Sequence, residues 1–201
     1  GGAGADRISG GFGRDLLSHA GAGAGVAVDL ALGRGLAGDA AGDTIGLVED
    51  LLGSDHDDLL RGHAGANLLA GGAGADTLDG GAGQDTAGYA GAVEGVAADL
   101  AAGSGTAGEA AGDSLTGIEH LLGGDGNDTL RGDAGGNLLI GGGFDDVLEG
   151  RAGADTLDGD WGSDTASYAG AVTRVKVSLE TGTGWGGDAQ GDRLLNIENL
   201  E

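Results

Sequence analysis

The sequence predicts an all-β fold, a β-solenoid of short stacked repeats, and three observations carry that prediction. A nine-residue frame, G-G-x-G-x-D-x-U-x with U aliphatic, can be laid on the chain eleven times. A longer period encloses it, because residues 1–70 align on 71–140 without a gap at 41 identities. The chain is also poor in core-forming bulk, with 50 Gly, six aromatic residues and no Pro, Cys or Met among its 201 residues. Units this small cannot bury a face alone, so they must stack on their neighbours.

The nonapeptides fall in runs 1–18, 53–88 and 123–167, within higher-order copies 1–70, 71–140 and 141–201 of a single continuous solenoid. In each unit the first six residues suit a turn and the last three a minimal strand, since Gly reaches backbone angles that other residues avoid. The sixth position reads Asp6, Asp15, Asp58, Asn67, Asp76, Asp85, Asp128, Asn137, Asp146, Asp155 and Asp164, and the eighth is Leu, Ile or Ala. Residues 150–201 align on 71–122 at an offset of 79, one nonapeptide more than the 70-residue period. A chain that starts on Gly, lacks Met and stops inside a motif reads as a piece excised from a longer protein.

Between the runs lie segments 19–52, 89–122 and 168–201. Each opens with period-2 alternation (Val26, Val28, Leu30; Val96, Ala98, Leu100; Val175, Val177, Leu179), the sign of a strand with one buried face. A Gly-rich turn follows, then Ile45, Val48, Leu51 and their equivalents Leu115, Ile118, Leu121 and Leu194, Ile197, Leu200. That spacing also fits one face of a helix; among Gly turns a short strand in the same coil is the favoured reading.

Thirty-three acids oppose nine bases, for a net charge of −24. Such an excess repels nucleic acid and anionic membrane and attracts cations. No apolar run approaches the ~18 residues of a spanning helix, so no membrane insertion is expected. Absence of Cys excludes a disulfide framework. Gly turns let carbonyl oxygens converge, and Asp adds a carboxylate at the turn's exit. Carbonyls and carboxylates, with no sulfur and no organised imidazole, describe a hard-cation site that favours calcium over magnesium.

These nonapeptides resemble the RTX (repeats-in-toxin) family, and the segments, with GVxxDL…GD…L..IE.L, resemble those between RTX blocks of long bacterial surface proteins. The resemblance implies a right-handed parallel β-roll with two nonapeptides per coil and calcium between the turns of repeats n and n+2. It pairs Asp58 with Asp76, Asn67 with Asp85, Asp128 with Asp146, Asn137 with Asp155, and Asp146 with Asp164, about five ions in all. It also implies carbonyl ligands from Gly65, Gly71, Ala73, Gly80, Ala82, Gly124, Gly126, Gly135, Gly141, Gly142, Gly143, Gly150, Ala152 and Gly159. Asp6 and Asp15 stay unassigned, and the two Asn sites are expected to be the weaker ones. Ser54, His56 and His63 in place of Gly, and Phe144 and Trp161 in later turns, are expected to strain their turns or weaken binding.

Sharper readings fail on the sequence itself. G33RGLAG38, G103SGTAG108 and G182TGWGG187 match a dinucleotide fingerprint, but none opens a helix. None of His19, His56, His63 and His120 recurs between copies, so no catalytic grouping is expected and the chain is not read as an enzyme. Asp39, Asp43 and Glu49 do recur, as Glu109, Asp113, Glu119 and Asp188, Asp192, Glu198, either as an added calcium site or as a solvated acidic edge.

By resemblance the chain is a calcium-stiffened spacer of a secreted or cell-surface Gram-negative protein of adhesin type, exported unfolded by type I secretion and folding outside. Its partners are then calcium and neighbouring repeats of a longer parent chain. The alternative is the C-terminal RTX region of a type I-secreted enzyme or toxin. A third reading is a self-assembling fibre or ligand-binding solenoid, since exposed solenoid edges invite pairing.

Overall fold

Each nonapeptide closes on a strand because only its last three residues lack Gly-driven turns. The computed structural model describes the whole chain, Gly1–Glu201, as 23 short strands and three 3-10 helices. Most nonapeptides end in a three-residue strand, such as Leu59–Arg61, Leu68–Ala70, Thr77–Asp79 and Thr86–Gly88. Leu138–Gly143 and Thr156–Trp161 extend into the following turn. The all-β expectation holds, and the mostly parallel pairing is that of a β-roll.

The chain forms two compact units. The first comprises Gly1–Tyr89 with Glu109–Ile118, the second Ala90–Gly108 with Glu119–Glu201. In the first unit, 27–29, 59–61, 77–79 and 114–116 pair in parallel in one sheet. Strands 16–18, 50–52, 68–70 and 86–88 form the other. In the second unit, 97–99, 129–131, 147–149, 165–166 and 199–200 stack in one sheet, and 120–122, 138–143, 156–161 and 193–195 in the other.

Alternation along a three-residue strand points its middle residue inward. That residue is the eighth of each repeat, and Leu60, Leu69, Leu78, Ala87, Leu130, Leu139, Leu148, Leu157 and Ala166 are all 0% exposed. Register stacks them directly, Leu60 on Leu78 and Leu139 on Leu157. This aliphatic row is the core of the nonapeptide runs, and Val26, Val28, Leu51, Tyr89, Val96 and Leu121 continue it in the segments.

The intervening segments differ in detail from the expected strand, Gly-rich turn and short strand. Ala27–Asp29 turns back on Arg34–Ala37 in an antiparallel hairpin, followed by the 3-10 turn Gly38–Ala40. Ile45 and Leu51 then lie in two strands, Thr44–Gly46 and Asp50–Leu52, with buried Val48 between them. The two strands belong to different sheets, one paired with 7–9 and the other with 16–18. A helix-like spacing thus arises from a chain turning a solenoid corner.

The third segment places its hairpin, Lys176–Ser178 with Thr183–Trp185, in the sheet of 138–143 and 156–161, opposite to the hairpin of 97–107. Parity explains this. Five nonapeptides separate the second and third segments, and with two repeats per coil an odd number ends on the other edge.

Candidate metal centres

Every nonapeptide strand is led by the acid or amide at position six, and successive leaders form a ladder along the sheet edge. The N–H of Asp58 donates to Oδ1 of Asp76 at 2.8 Å, and that of Asn67 to Asp85 at 2.8 Å. Asp128 donates to Asp146 at 2.7 Å, Asn137 to Asp155 at 2.8 Å, and Asp146 to Asp164 at 2.8 Å. The structure therefore brings together the five pairs named from the sequence. Asp76, Asp146, Asp155 and Asp164 each use one oxygen to cap the preceding strand, whereas Asp58 and Asp128, at the heads of their runs, also accept the N–H of Ser54 and of Gly124 with the second.

The second oxygen is the informative one. Oδ2 of Asp76, Asp146, Asp155 and Asp164 is buried without a hydrogen-bond partner. Arginines elsewhere take acids at other positions: Arg14 with Asp50, Arg61 with Asp29 and Asp79, Arg131 with Glu149, and Arg151 with Asp99. No Lys or Arg pairs with Asp58, Asp76, Asp128, Asp146, Asp155 or Asp164. Burial pushes the carboxyls of Asp76, Asp146 and Asp155 up to about 7, with neighbouring carboxylates adding to the effect. Burial raises Asp128 and Asp164 as well. A buried carboxylate with a free oxygen and no cationic side chain is costly unless an ion arrives from solution.

Backbone oxygens complete the donor set. Nowhere in the chain are three or more His, Cys, Asp or Glu side chains placed to hold a metal ion by themselves, so a cation here must draw on carbonyls. Those of positions two and four in one turn face the same positions two repeats on: Ser54 O against Gly72, Gly65 O against Gly83, Gly124 O against Gly142, Gly135 O against Gly153. In the reverse direction Gly71 O, Gly80 O, Gly141 O and Gly150 O lie against the first Gly of the turn two repeats earlier. All-oxygen cradles with two acidic or amide side chains suit calcium. Its charge would offset the carboxylate repulsion and tie adjacent coils together. At the Asp128 pair, Gly124 O also accepts the N–H of Gly143 at 2.9 Å.

Glycine is demanded for two different reasons. At position one the site of a Cβ is already filled by the turn's own carboxylate, as at Gly71 against Asp76 and Gly141 against Asp146. At positions two and four the backbone is left-handed in several turns, for example Gly72 at φ 98° and Gly74 at φ 138°. Ser54, His56 and His63 escape that requirement. Their φ is not positive, and the N–H of Ser54 and of His63 instead donates to the side chain at position six of its own turn. Phe144 does occupy the left-handed region, at φ 71°, and Trp161 does not; Arg151 and Asp160, at position two of their turns, are left-handed as well, at φ 66° and 64°.

The two Asn leaders have a structural cause that the sequence did not reveal. Asn67 Nδ2 donates to the carbonyl of Glu49 at 2.5 Å, and Asn137 Nδ2 to that of Glu119 at 2.9 Å. An Asp here would set carboxylate against carbonyl. Asn67→Asp is therefore expected to destabilise the calcium-loaded chain by about 1–3 kcal/mol, the cost of an unsatisfied buried group. Urea unfolding at saturating calcium checks this, and a midpoint equal to that of the wild type would contradict it.

The recurrent segment acids do not form one cluster. Asp43, Asp113 and Asp192 accept the N–H of Asp6, Asp76 and Asp155 at 2.7, 2.8 and 3.0 Å. Glu49 and Glu198 instead accept those of Asp15 and Asp164 in the other ladder of each unit, at 2.9 Å each. Asp39, Glu109 and Asp188 sit on the 3-10 turns. Tyr89 and Tyr168 are buried and donate their hydroxyls to Oδ2 of Asp113 and Asp192 at 2.9 Å.

Parallel coils with stacked carboxylate-and-carbonyl turns define a calcium-binding β-solenoid. A family model for the RTX calcium-binding nonapeptide repeat, in four copies, matches residues 1–24, 52–87, 113–148 and 131–166, together more than half of the chain. The chain belongs to that family. No curated protein matches it.

Proposed function

We propose that this chain is a calcium-stiffened structural module, a spacer within a secreted or cell-surface bacterial protein of adhesin type. The observation that supports it is the row of buried carboxylates without a cationic side chain, repeated from coil to coil. Without calcium the row repels itself, and one small aliphatic residue per nonapeptide is a weak counterweight to ordering so much Gly. With calcium the coils are tied in series, so order and stiffness follow the ion. Such a chain stays loose where calcium is scarce and folds where it is millimolar.

A calcium titration followed by far-UV circular dichroism, starting from chelator-stripped protein, tests this. A coil-to-β transition as calcium rises is expected. A stripped chain that is already β-rich and indifferent to calcium would overturn it.

A further inference from the structure

Within a nonapeptide run the ladder steps by 18 residues, and at the end of a run that step has no repeat to land on. Asp15 and Asp164 lead the last strands of runs 1–18 and 123–167. Their N–H groups are nonetheless capped, by Oε2 of Glu49 and Glu198, 34 residues on in both cases. Each glutamate stands where the next Asp of the ladder would stand.

A carbonyl accompanies it. Within the runs, the oxygen of a position-one Gly lies against the position-one Gly two repeats earlier, as Gly71 O does at Gly53 and Gly141 O at Gly123. At the run ends Leu47 O lies against Gly10 and Asn196 O against Gly159. Leu47 and Asn196 reach that position in the left-handed region, at φ 55° and 48°. The equivalent residue of the second segment is Gly117, at φ 58°, with its oxygen against Gly80. Segment backbone thus reproduces the oxygen of a nonapeptide turn.

An independent observation points to a ligand. Asp164 is fully buried, and its unpartnered Oδ2 lies against the same point of Gly159 as Asn196 O. Oδ2 of Asp15 is likewise buried without a partner. Two oxygens of negative character converge there with no donor between them. Glu, and not Asp, also fits the spacing. In a nonapeptide the acid follows the position-one carbonyl by five residues, whereas Glu49 follows Leu47, and Glu198 follows Asn196, by only two. A tighter turn needs the longer side chain.

We propose that Glu49 and Glu198 complete two further divalent-cation sites that close the nonapeptide runs, one with Asp15 and the carbonyl of Leu47, the other with Asp164 and the carbonyl of Asn196. The ligand is a hard divalent cation of the calcium class. The inference rests on reading the regular turns as calcium sites. The Asp113 and Asp192 ends are different, because a tyrosine hydroxyl already fills the corresponding oxygen.

Native mass spectrometry of the calcium-loaded chain counts ions directly. Glu49→Gln and Glu198→Gln keep an oxygen to cap the Asp N–H but lose the charge. Each is expected to lose one ion and the double variant two, while the exposed, off-ladder Glu94→Gln and Glu180→Gln lose none. Far-UV circular dichroism at saturating calcium should stay unchanged. A wild type that keeps its ions alongside Gln variants that keep as many would overturn the run-end sites alone. A wild type that holds no calcium would overturn the reading of the regular turns as well.

Discussion

Replacing Gly71 with alanine is expected to destabilise the calcium-loaded chain sharply, whereas the same change at Gly46 should be almost silent. The new methyl at position 71 would land on the Asp76 carboxylate, which is buried and fixed by the N–H of Asp58. Overpacking of this kind costs about 1–3 kcal/mol. If Asp76 swings away, a charge-assisted hydrogen bond of roughly 1.5–3 kcal/mol is lost too, and the proposed calcium site loses a carboxylate. Gly46 meets nothing within 4 Å and has no left-handed backbone, so it tolerates a Cβ. Urea unfolding of both variants at saturating calcium decides the matter. Equal midpoints would mean that the carboxylate does not occupy the space under the first glycine.

Acidification should order the metal-free chain and weaken its hold on calcium. In the fold the carboxyls of Asp76, Asp146 and Asp155 sit at about 7, against about 3.9 for an unfolded Asp. Between these values the folded chain binds more protons than the unfolded one. Stability of the metal-free fold is therefore highest below about pH 4 and falls as pH rises towards about 7. Calcium needs the ionised form, so its midpoint should rise as pH falls below about 7, roughly tenfold per unit for each proton displaced. Circular dichroism titrations at about pH 8 and about pH 5 would show both effects. A midpoint that stays fixed across that interval would mean the row is already ionised without metal.

The regular parts were legible because each carries its own signal. The position-eight row follows from strand alternation, and the Asp row follows from the turn that precedes each strand. Both repeat every nine residues, so partners in the ladder lie 18 apart, as Asp58 and Asp76 do. The segments obscured that arithmetic. Their detours lengthen the ladder step to 37 residues from Asp6 to Asp43, to 34 from Asp15 to Glu49, and to 32 from Val26 to Asp58. Recurrence marked Asp43 and Glu49 as significant, but not that they serve different sheets.

By itself, then, the sequence determined the solenoid class, the division of each repeat into an aliphatic core position and an acidic turn, and the affinity for a hard cation, because periodic local requirements leave few alternatives. Tertiary structure alone decided where each detour rejoins the coil. That choice sets the Asn67 amide on the Glu49 carbonyl, gives the Asp113 carboxylate to Tyr89, and seats Glu198 beside Asp164. It also sends the third hairpin to the opposite sheet. These contacts depend on stacking register between distant coils, and no local period encodes it.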